Sequence, residues 1–277
     1  MISFTKVHGN GNDFIVIENL DRRFETEELS RIASTLCRRK TGIGADGILV
    51  VEPSQRADLT MRIFNSDGSE GEMCGNGARC FARYAFENRL AGETMAFETL
   101  AGTMRAEVKA PNVILDMGTI DCSKGLFDET VSLLGETFPL AALRVGVPHC
   151  AVFVPNLASR SRQDLVLLGR TLRHDALRFP QGVNVNFVQD LGEGELLVTT
   201  YERGVEDLTD SCGTGSTMSA IAAVKRWGLS SPVRVLNPGG VNIVHLDWEN
   251  DGRFCSARLE GPTALVARGA VLEEAGL

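Results

Sequence analysis

The sequence has seven cysteines but no CxxC pair. An odd number of scattered thiols makes neither a disulfide framework nor a dithiol redox motif, and it points to a reduced, cytoplasmic protein. His8, His149, His174 and His245 show no ligand spacing, so no metal is expected. No apolar run approaches the roughly 18–20 residues of a membrane span. The opening Met1-Ile2-Ser3-Phe4-Thr5-Lys6 lacks the apolar core of a signal peptide. Basic excess is missing as well: a net charge of −8 argues against nucleic acid or an anionic membrane as partner. What remains is an ordinary soluble composition, 43% hydrophobic and 23% charged, in 277 residues, enough for two domains with cores of their own.

Against that plain background one string occurs twice: Cys74-Gly75-Asn76-Gly77 and Cys212-Gly213-Thr214-Gly215. Small and apolar residues follow each copy, Ala78 to Phe86 and Ser216 to Val224. A cysteine before flexible residues and then a helix places its sulfur at a helix N-terminus, where unpaired N–H groups favour negative charge. Such a position lowers a thiol's pKa and can also seat a carboxylate. The flanks repeat with the motif. Phe64 matches Tyr201 at an offset of 137, and Cys74 matches Cys212 and Ala101-Gly102 matches Gly239-Gly240 at 138. A constant offset across strands, turns and a helix marks a duplicated unit. Each unit reads as many short strands plus one helix without a polar face, which must be buried on all sides. The expected class is α+β: two pseudo-symmetric lobes, each a barrel-like, mostly antiparallel sheet wrapped around a central helix. The lobes are expected at 1–118 and 119–263, with 264–277 returning to complete the first. Further helices are expected over Thr26–Arg38 and Gln163–Arg173, strands at Phe14–Glu18 and Cys150–Val154, and turns at Lys6–Asp13 and Gly146–His149.

The strings His8-Gly9-Asn10-Gly11-Asn12-Asp13-Phe14, Gly42-Ile43-Gly44-Ala45-Asp46-Gly47, Phe64-Asn65-Ser66-Asp67-Gly68-Ser69-Glu70, Met73-Cys74-Gly75-Asn76-Gly77-Ala78-Arg79-Cys80, Pro148-His149-Cys150, Val183-Asn184-Val185, Glu202-Arg203-Gly204-Val205 and Cys212-Gly213-Thr214-Gly215 run nearly the whole chain. In that order they resemble the diaminopimelate epimerase family. The resemblance implies a cofactor-independent isomerase of lysine and peptidoglycan precursor synthesis, with its site in a cleft between the lobes. It implies a small amino acid as partner and a homodimer as assembly. No pyridoxal phosphate is implied, and no Lys sits in a motif suggesting a Schiff base.

Inverting an α-carbon needs a base on one face and an acid on the other. By resemblance Cys74 and Cys212 take these roles, and two close thiolates would resist ionising together. The N–H groups around Gly75, Asn76, Gly213 and Thr214 would hold the α-carboxylate and stabilise charge developing on it. His149 and Glu202 are implied as accessory polar groups. Asn12, Asn65 and Asn184 are implied as substrate amides, although as turn or strand-end residues they equally satisfy backbone groups. Arg203 is implied as the clamp on the distal carboxylate, a task suited to its planar fork; its structural alternative is a salt bridge to Glu202 or Glu206. Cys37, Cys80, Cys122, Cys150 and Cys255 read as packing residues.

Two departures touch the distal end. Val147 stands where Gly-Asn-Pro-His is common, and Gly47 where some members carry Gln. These leave open a racemase for another amino acid. A noncatalytic binding protein is disfavoured, because binding alone needs no paired thiols. Losing one amide removes about 1 kcal/mol of net hydrogen bonding. Val147→Asn is therefore expected to lower KM for diaminopimelate while changing kcat little, the pattern of a contact made equally in ground and transition states. Steady-state kinetics check this, and an unchanged KM would show that position 147 does not reach the substrate.

Overall fold

A parallel pair of strands cannot be closed by a tight turn, so its connection has to cross over the sheet. In each half of this chain two such crossovers are made by helices, and they set the architecture. The computed structural model describes residues 2–277. Contacts cluster into two units, one running to Asp116 and resuming over Gly261–Leu277, the other spanning Met117–Glu260.

The first unit contains β1 (Ile2–Gly9), β2 (Asn12–Glu18), α1 (Thr26–Leu36), β3 (Gly47–Glu52), β4 (Leu59–Asn65), β5 (Glu70–Gly71), α2 (Gly75–Glu87), β6 (Thr94–Thr99), β7 (Gly102–Lys109) and the start of β8 (Asn112–Asp121). The C-terminal strand Ala264–Val271 returns and pairs antiparallel with β1. α1 joins the parallel pair β2 and β3, and α2 joins the parallel pair β4 and β6. The remaining pairs, including β1 with β2, β3 with β4 and β6 with β7, are antiparallel. Leu29, Ile32, Ala33 and Leu36, the apolar stripe of α1, pack on Ile15, Ile17, Ile48, Val50 and Phe64. α2 lies against β1, β2, β3, β4, β7 and the returning strand. Its Phe81 ring meets Phe97 of β6 at 4.9 Å.

The second unit replays the order with β9 (Leu126–Leu133), β10 (Glu136–Val145), β11 (Val147–Phe153), α3 (Arg162–Arg173), β12 (Asn184–Gly192), β13 (Glu195–Glu202), β14 (Asp207–Thr209), α4 (Gly213–Trp227), β15 (Val233–Asn237), β16 (Gly240–Glu249) and β17 (Phe254–Pro262); the returning C-terminal strand is thus β18. α3 joins parallel β11 and β12, and α4 joins parallel β13 and β15. The repeat extends to register: Ile48 pairs with Phe64, and Val185 with Tyr201, both partners displaced by 137. Gly213 and Gly215 through Ala223 on α4 are all buried, among strands β9 to β13, β15 and β16. Among its buried polar members Ser216 and Thr217 find partners inside, while Ser219 Oγ has none. Thr217 Oγ1 donates to Gly213 O at 3.1 Å, and Ser216 Oγ accepts from Asn242 Nδ2 at 2.9 Å. No helix among the described residues is long and apolar enough to cross a membrane.

Three segments differ from the sequence expectation. Lys6–Asp13 is not a loop but a hairpin, β1 to β2, closed by Asn10 and Gly11 at φ 50° and 83° with Gly9 facing Asn12. That is the positive-φ two-residue turn which Asn-Gly favours. The turn expected over Gly146–His149 shrinks to Gly146 at φ +68°, because Val145 already pairs with Val147. The β9–β10 hairpin was not expected at all. Asp128, Glu129 and Thr130 are all exposed on β9, and three polar residues in a row interrupt the alternation that would reveal a strand.

Gly169 shows how closely α3 sits on the sheet: a Cβ there would lie 2.6 Å from Tyr201 Cβ and Cγ, on a side chain with no exposure. Alanine normally stabilises a helix relative to glycine by about 1 kcal/mol, while overpacking costs about 1–3 kcal/mol. Gly169→Ala should therefore lower the urea midpoint, and an equal or higher midpoint would show that the contact relaxes freely.

Candidate active-site residues

The candidate residues are divided between the two units. In the first, Cys74 is the N-cap of α2, with extended backbone at φ −137° and ψ 123°. α3 is closed conventionally, Ser161 Oγ accepting from Asp164 N at 3.1 Å. By contrast, Cys74 makes no side-chain cap hydrogen bond to α2. Its Sγ instead donates to Asn12 Oδ1 at 3.4 Å. The orientation of that amide is fixed, since Asn12 Nδ2 donates to the Asp46 carboxylate at 2.6 Å. Asp46 is in turn held by Arg39 at 2.7 Å, and its backbone N–H donates to Asp13 O at 2.9 Å. Burial acts to raise the Asp13 pKa, but Arg39 and Lys6 outweigh it and hold the carboxyl below its usual range.

Gly75 and Asn76 form the first turn of α2. The Asn76 side chain turns inward, its Oδ1 accepting from Arg79 Nη2 at 2.7 Å. Arg79 is entirely buried, and its Nε and Nη1 have no hydrogen-bond partner. Burial pulls its pKa below the ordinary arginine value, opposed by the neighbouring Cys80 and Cys74. Asn65 ends β4 exposed and closes the following turn: Asn65 N donates to Ser69 O at 2.8 Å, and Nδ2 donates to Ser69 Oγ at 3.0 Å. Gly47 opposes Asn65 across the ladder, and a Cβ there would come within 2.5 Å of Phe64 O, so no larger residue fits this backbone.

In the second unit Cys212 is the N-cap of α4, at φ −119° and ψ 113°, again without a side-chain cap hydrogen bond. Its sulfur lies 3.5 Å from Thr214 Oγ1. Thr214 Oγ1 lies 2.9 Å from His149 Nε2. His149 stands on β11, and burial pushes its pKa down to about 3, with Arg203 adding to the shift. Asn184, at the start of β12, accepts from Arg203 N at 2.7 Å and so fixes the backbone where β13 ends. Arg203 Nη1 donates to Gln181 O at 3.0 Å. The alternative salt bridge to Glu206 is not made: Glu206 pairs with Arg173 at 3.1 Å and with His174 at 3.4 Å. Burial raises the Glu202 carboxyl above its ordinary pKa. Val147 shares a strand face with His149 two residues on, half-buried.

The other five thiols are buried, and burial pushes Cys37, Cys80 and Cys255 up to about 12 and raises Cys122 and Cys150 as well. Sequence reasoning missed Asp46, Arg39, Thr200 and Asn186. Asn186 was within reach, because Asn184-Val185-Asn186 on one strand sends both amides to the same face.

With the geometry in place, comparison with known proteins gives first the fold class. The chain aligns with a phenazine biosynthesis protein of the PhzF family from Bacillus anthracis at a TM-score of 0.74 and 14% identity, covering 98% of this chain and 99% of that one. It aligns with a probable proline racemase from Agrobacterium radiobacter at 0.68 and 17%, covering 98% and 93%. At such identities the likeness is one of fold. The sequence is more specific. The family model described as diaminopimelate epimerase matches residues 4–122 and 141–264. A protein of that name from Archaeoglobus fulgidus is 46% identical over 88% of this chain and 89% of its own length. Another, from Methanothrix thermoacetophila, is 41% identical over 99% and 97%. The chain belongs to the diaminopimelate epimerase family.

The His149 environment makes a pH signature. A histidine whose folded pKa is about 3 stays neutral on acidification, while the unfolded chain, near 6.5, takes up a proton. Stability from this residue is therefore complete above about pH 6.5 and lost as pH falls towards 3. At pH 5 the loss is about 2 kcal/mol. Urea unfolding at pH 7 and pH 5 should show that difference in the natural chain and not in His149→Gln. Equal pH dependence in the two would place the shift elsewhere.

Proposed function

We propose that this chain interconverts LL- and meso-2,6-diaminopimelate without a cofactor, with Cys74 and Cys212 as the acid–base pair. The observation that carries the reading is the matched pair of N-cap cysteines, each starting a buried helix without a side-chain cap. The cysteine side chains therefore do not occupy the first turns of these helices, where N–H groups point outwards. A carboxylate suits them, through direct hydrogen bonds and the helix dipole. The name carried by the relatives supplies the substrate.

In this mechanism one sulfur, ionised, removes the α-proton while the other, protonated, delivers a proton to the opposite face. Reversal of direction exchanges the roles. Negative charge spreads onto the α-carboxylate during abstraction, and fixed backbone donors stabilise it without reorganisation. Asn12 steadies the protonated form of Cys74 by accepting its hydrogen. Glu202, its carboxyl pKa raised by burial, and His149, kept neutral by burial, supply polar groups beside the substrate. Arg203, held by Asn184 and Gln181, is the cation for the distal carboxylate. The buried thiols elsewhere fit a reducing, cytoplasmic setting.

The test is purified protein with each diaminopimelate isomer in deuterated water. With acid and base on different residues, product formed early carries deuterium at the inverted carbon while recovered substrate stays largely protonated. Substantial return of the original proton into product would indicate a single base. Faster racemisation of a monocarboxylic amino acid such as lysine would overturn the substrate and leave the two-thiol chemistry standing.

A further inference from the structure

Three asparagine and threonine side chains around His149 decide a question that the imidazole alone leaves open, namely which ring nitrogen carries the proton. Asn186 is fully buried on β12. Its Nδ2 donates to Cys150 O at 2.9 Å, and its Oδ1 accepts from Thr200 Oγ1 at 3.0 Å. The carbonyl at Cys150 can only accept, so the amide cannot be turned round. The second hydrogen of the same Nδ2 then faces His149 Nδ1 at 3.3 Å. That donor calls for an acceptor at Nδ1, which in a neutral ring puts the proton on Nε2.

Nε2 has two neighbours. One is Asn184 Nδ2 at 3.4 Å, and this amide is also fixed, because its Oδ1 accepts the Arg203 N–H. That NH₂ group would favour the opposite tautomer, but a neutral ring accepts at one nitrogen only; the shorter amide approach is the one at Nδ1, and Nε2–H then has Thr214 Oγ1 at 2.9 Å as its acceptor. The hydroxyl has one hydrogen of its own. Of its two recorded neighbours, His149 Nε2 and Cys212 Sγ, only the sulfur can take it. Gly215 preserves this arrangement, since a Cβ there would stand 2.3 Å from Asn186 Oδ1. The charged and titratable groups around the ring are Arg203 at the end of β13 and Cys212 at the start of α4; β12 presents only its two amides.

We propose that Asn186 is a positioning residue: it fixes the Nε2–H tautomer of His149 and thereby directs the Thr214 hydroxyl hydrogen onto the Cys212 sulfur. A hydrogen bond to sulfur strengthens as negative charge gathers there, so the chain of donors favours the thiolate form of Cys212. Cys74 has the opposite arrangement, its sulfur facing the acceptor Oδ1 of Asn12. The two cysteines are thus wired differently within their own units, although their backbones are duplicates. This inference rests on the two-thiol reading for its meaning in catalysis, but its geometry is testable without any turnover.

The experiment is nitrogen NMR of the full chain labelled with ¹⁵N-histidine at neutral pH, the His149 signals assigned by their loss in His149→Gln. The expected result is a protonated Nε2 and an unprotonated Nδ1; a protonated Nδ1 overturns the proposal. Asn186→Asp keeps the size of the side chain but replaces the donor with an acceptor, and should move the proton to Nδ1. In that variant iodoacetamide should alkylate Cys212 with its pH midpoint displaced upwards, while the Cys74 midpoint, read by peptide mapping of the same samples, stays put. A Cys212 midpoint that does not move despite the changed tautomer would refute the link from Asn186 to the sulfur. Failure of epimerase activity with a confirmed Nε2–H would count against the enzyme assignment alone.

Discussion

An α-helix begins with N–H groups that nothing inside the helix can satisfy, and burying such an end without a partner is costly. Two helices of this protein, α2 and α4, begin at a cysteine whose side chain makes no cap hydrogen bond. The sequence is capable of ordinary caps, as Ser161 shows at α3. At α2 and α4 the capping position is given to cysteine, a poor acceptor, and followed by glycine. This arrangement is understandable if something outside the chain completes the helix ends. The surrounding fold, with strands on every side of each helix, keeps those ends fixed in direction. Both the seat for a carboxylate and the placement of the sulfurs follow from that one constraint.

Rigidity around the sulfurs comes from amides whose two ends are both engaged, half-buried at Asn12 and buried at Asn184 and Asn186. Asn12 is tied to Asp46, Asn184 to the backbone at Arg203, and Asn186 to Cys150 and Thr200. Each net hydrogen bond contributes only about 1 kcal/mol, but leaving a buried donor unmet costs about 1–3 kcal/mol. A rearranged amide would break two bonds at once, so one orientation dominates. His149 inherits its neutrality from the same burial that fixes its neighbours. The exception is Arg79, a buried guanidinium with two nitrogens unpartnered beside Asn76. Its cost must be met elsewhere in the first unit, and the structure gives no account of where.

Much of this was legible from residues. The 137–138 offset foretold that strands as well as cysteines repeat, and the ladder register keeps it at Ile48–Phe64 and Val185–Tyr201. The apolar stripe of α1 and the all-round apolarity of α4 read directly as burial. β9 escaped because Asp128, Glu129 and Thr130 put three polar residues in a row and break the period-two signal, and β1 because Thr5, Lys6 and His8 look like loop. Among functional candidates, the cysteines and Arg203 announced themselves by motif. Asn186 belongs to no motif; its spacing from Asn184 places it on the same strand face, but its bonds to Cys150 and Thr200 depend on which strands lie beside β12, and pairing of that kind is absent from local sequence. Asn65 and Asn76 show the converse: the motif marks them, but it does not reveal that Asn65 Nδ2 closes a turn on Ser69 or that Asn76 Oδ1 accepts from Arg79.

The central claim is that Cys74 and Cys212 act as one unit and that the other thiols only pack. Its most direct measurement is kcat/KM for diaminopimelate in Cys74→Ser, Cys212→Ser, the double variant and Cys255→Ser, each checked for folding by urea titration. Proton-transfer groups contribute about 10²–10⁴-fold, and residues acting together are grossly non-additive. The account predicts a loss of at least about 10²-fold in each single active-site variant, little further loss in the double variant, and activity near that of the natural chain in Cys255→Ser. A folded Cys74→Ser or Cys212→Ser protein that keeps activity within about tenfold, or losses that multiply in the double variant, would contradict it.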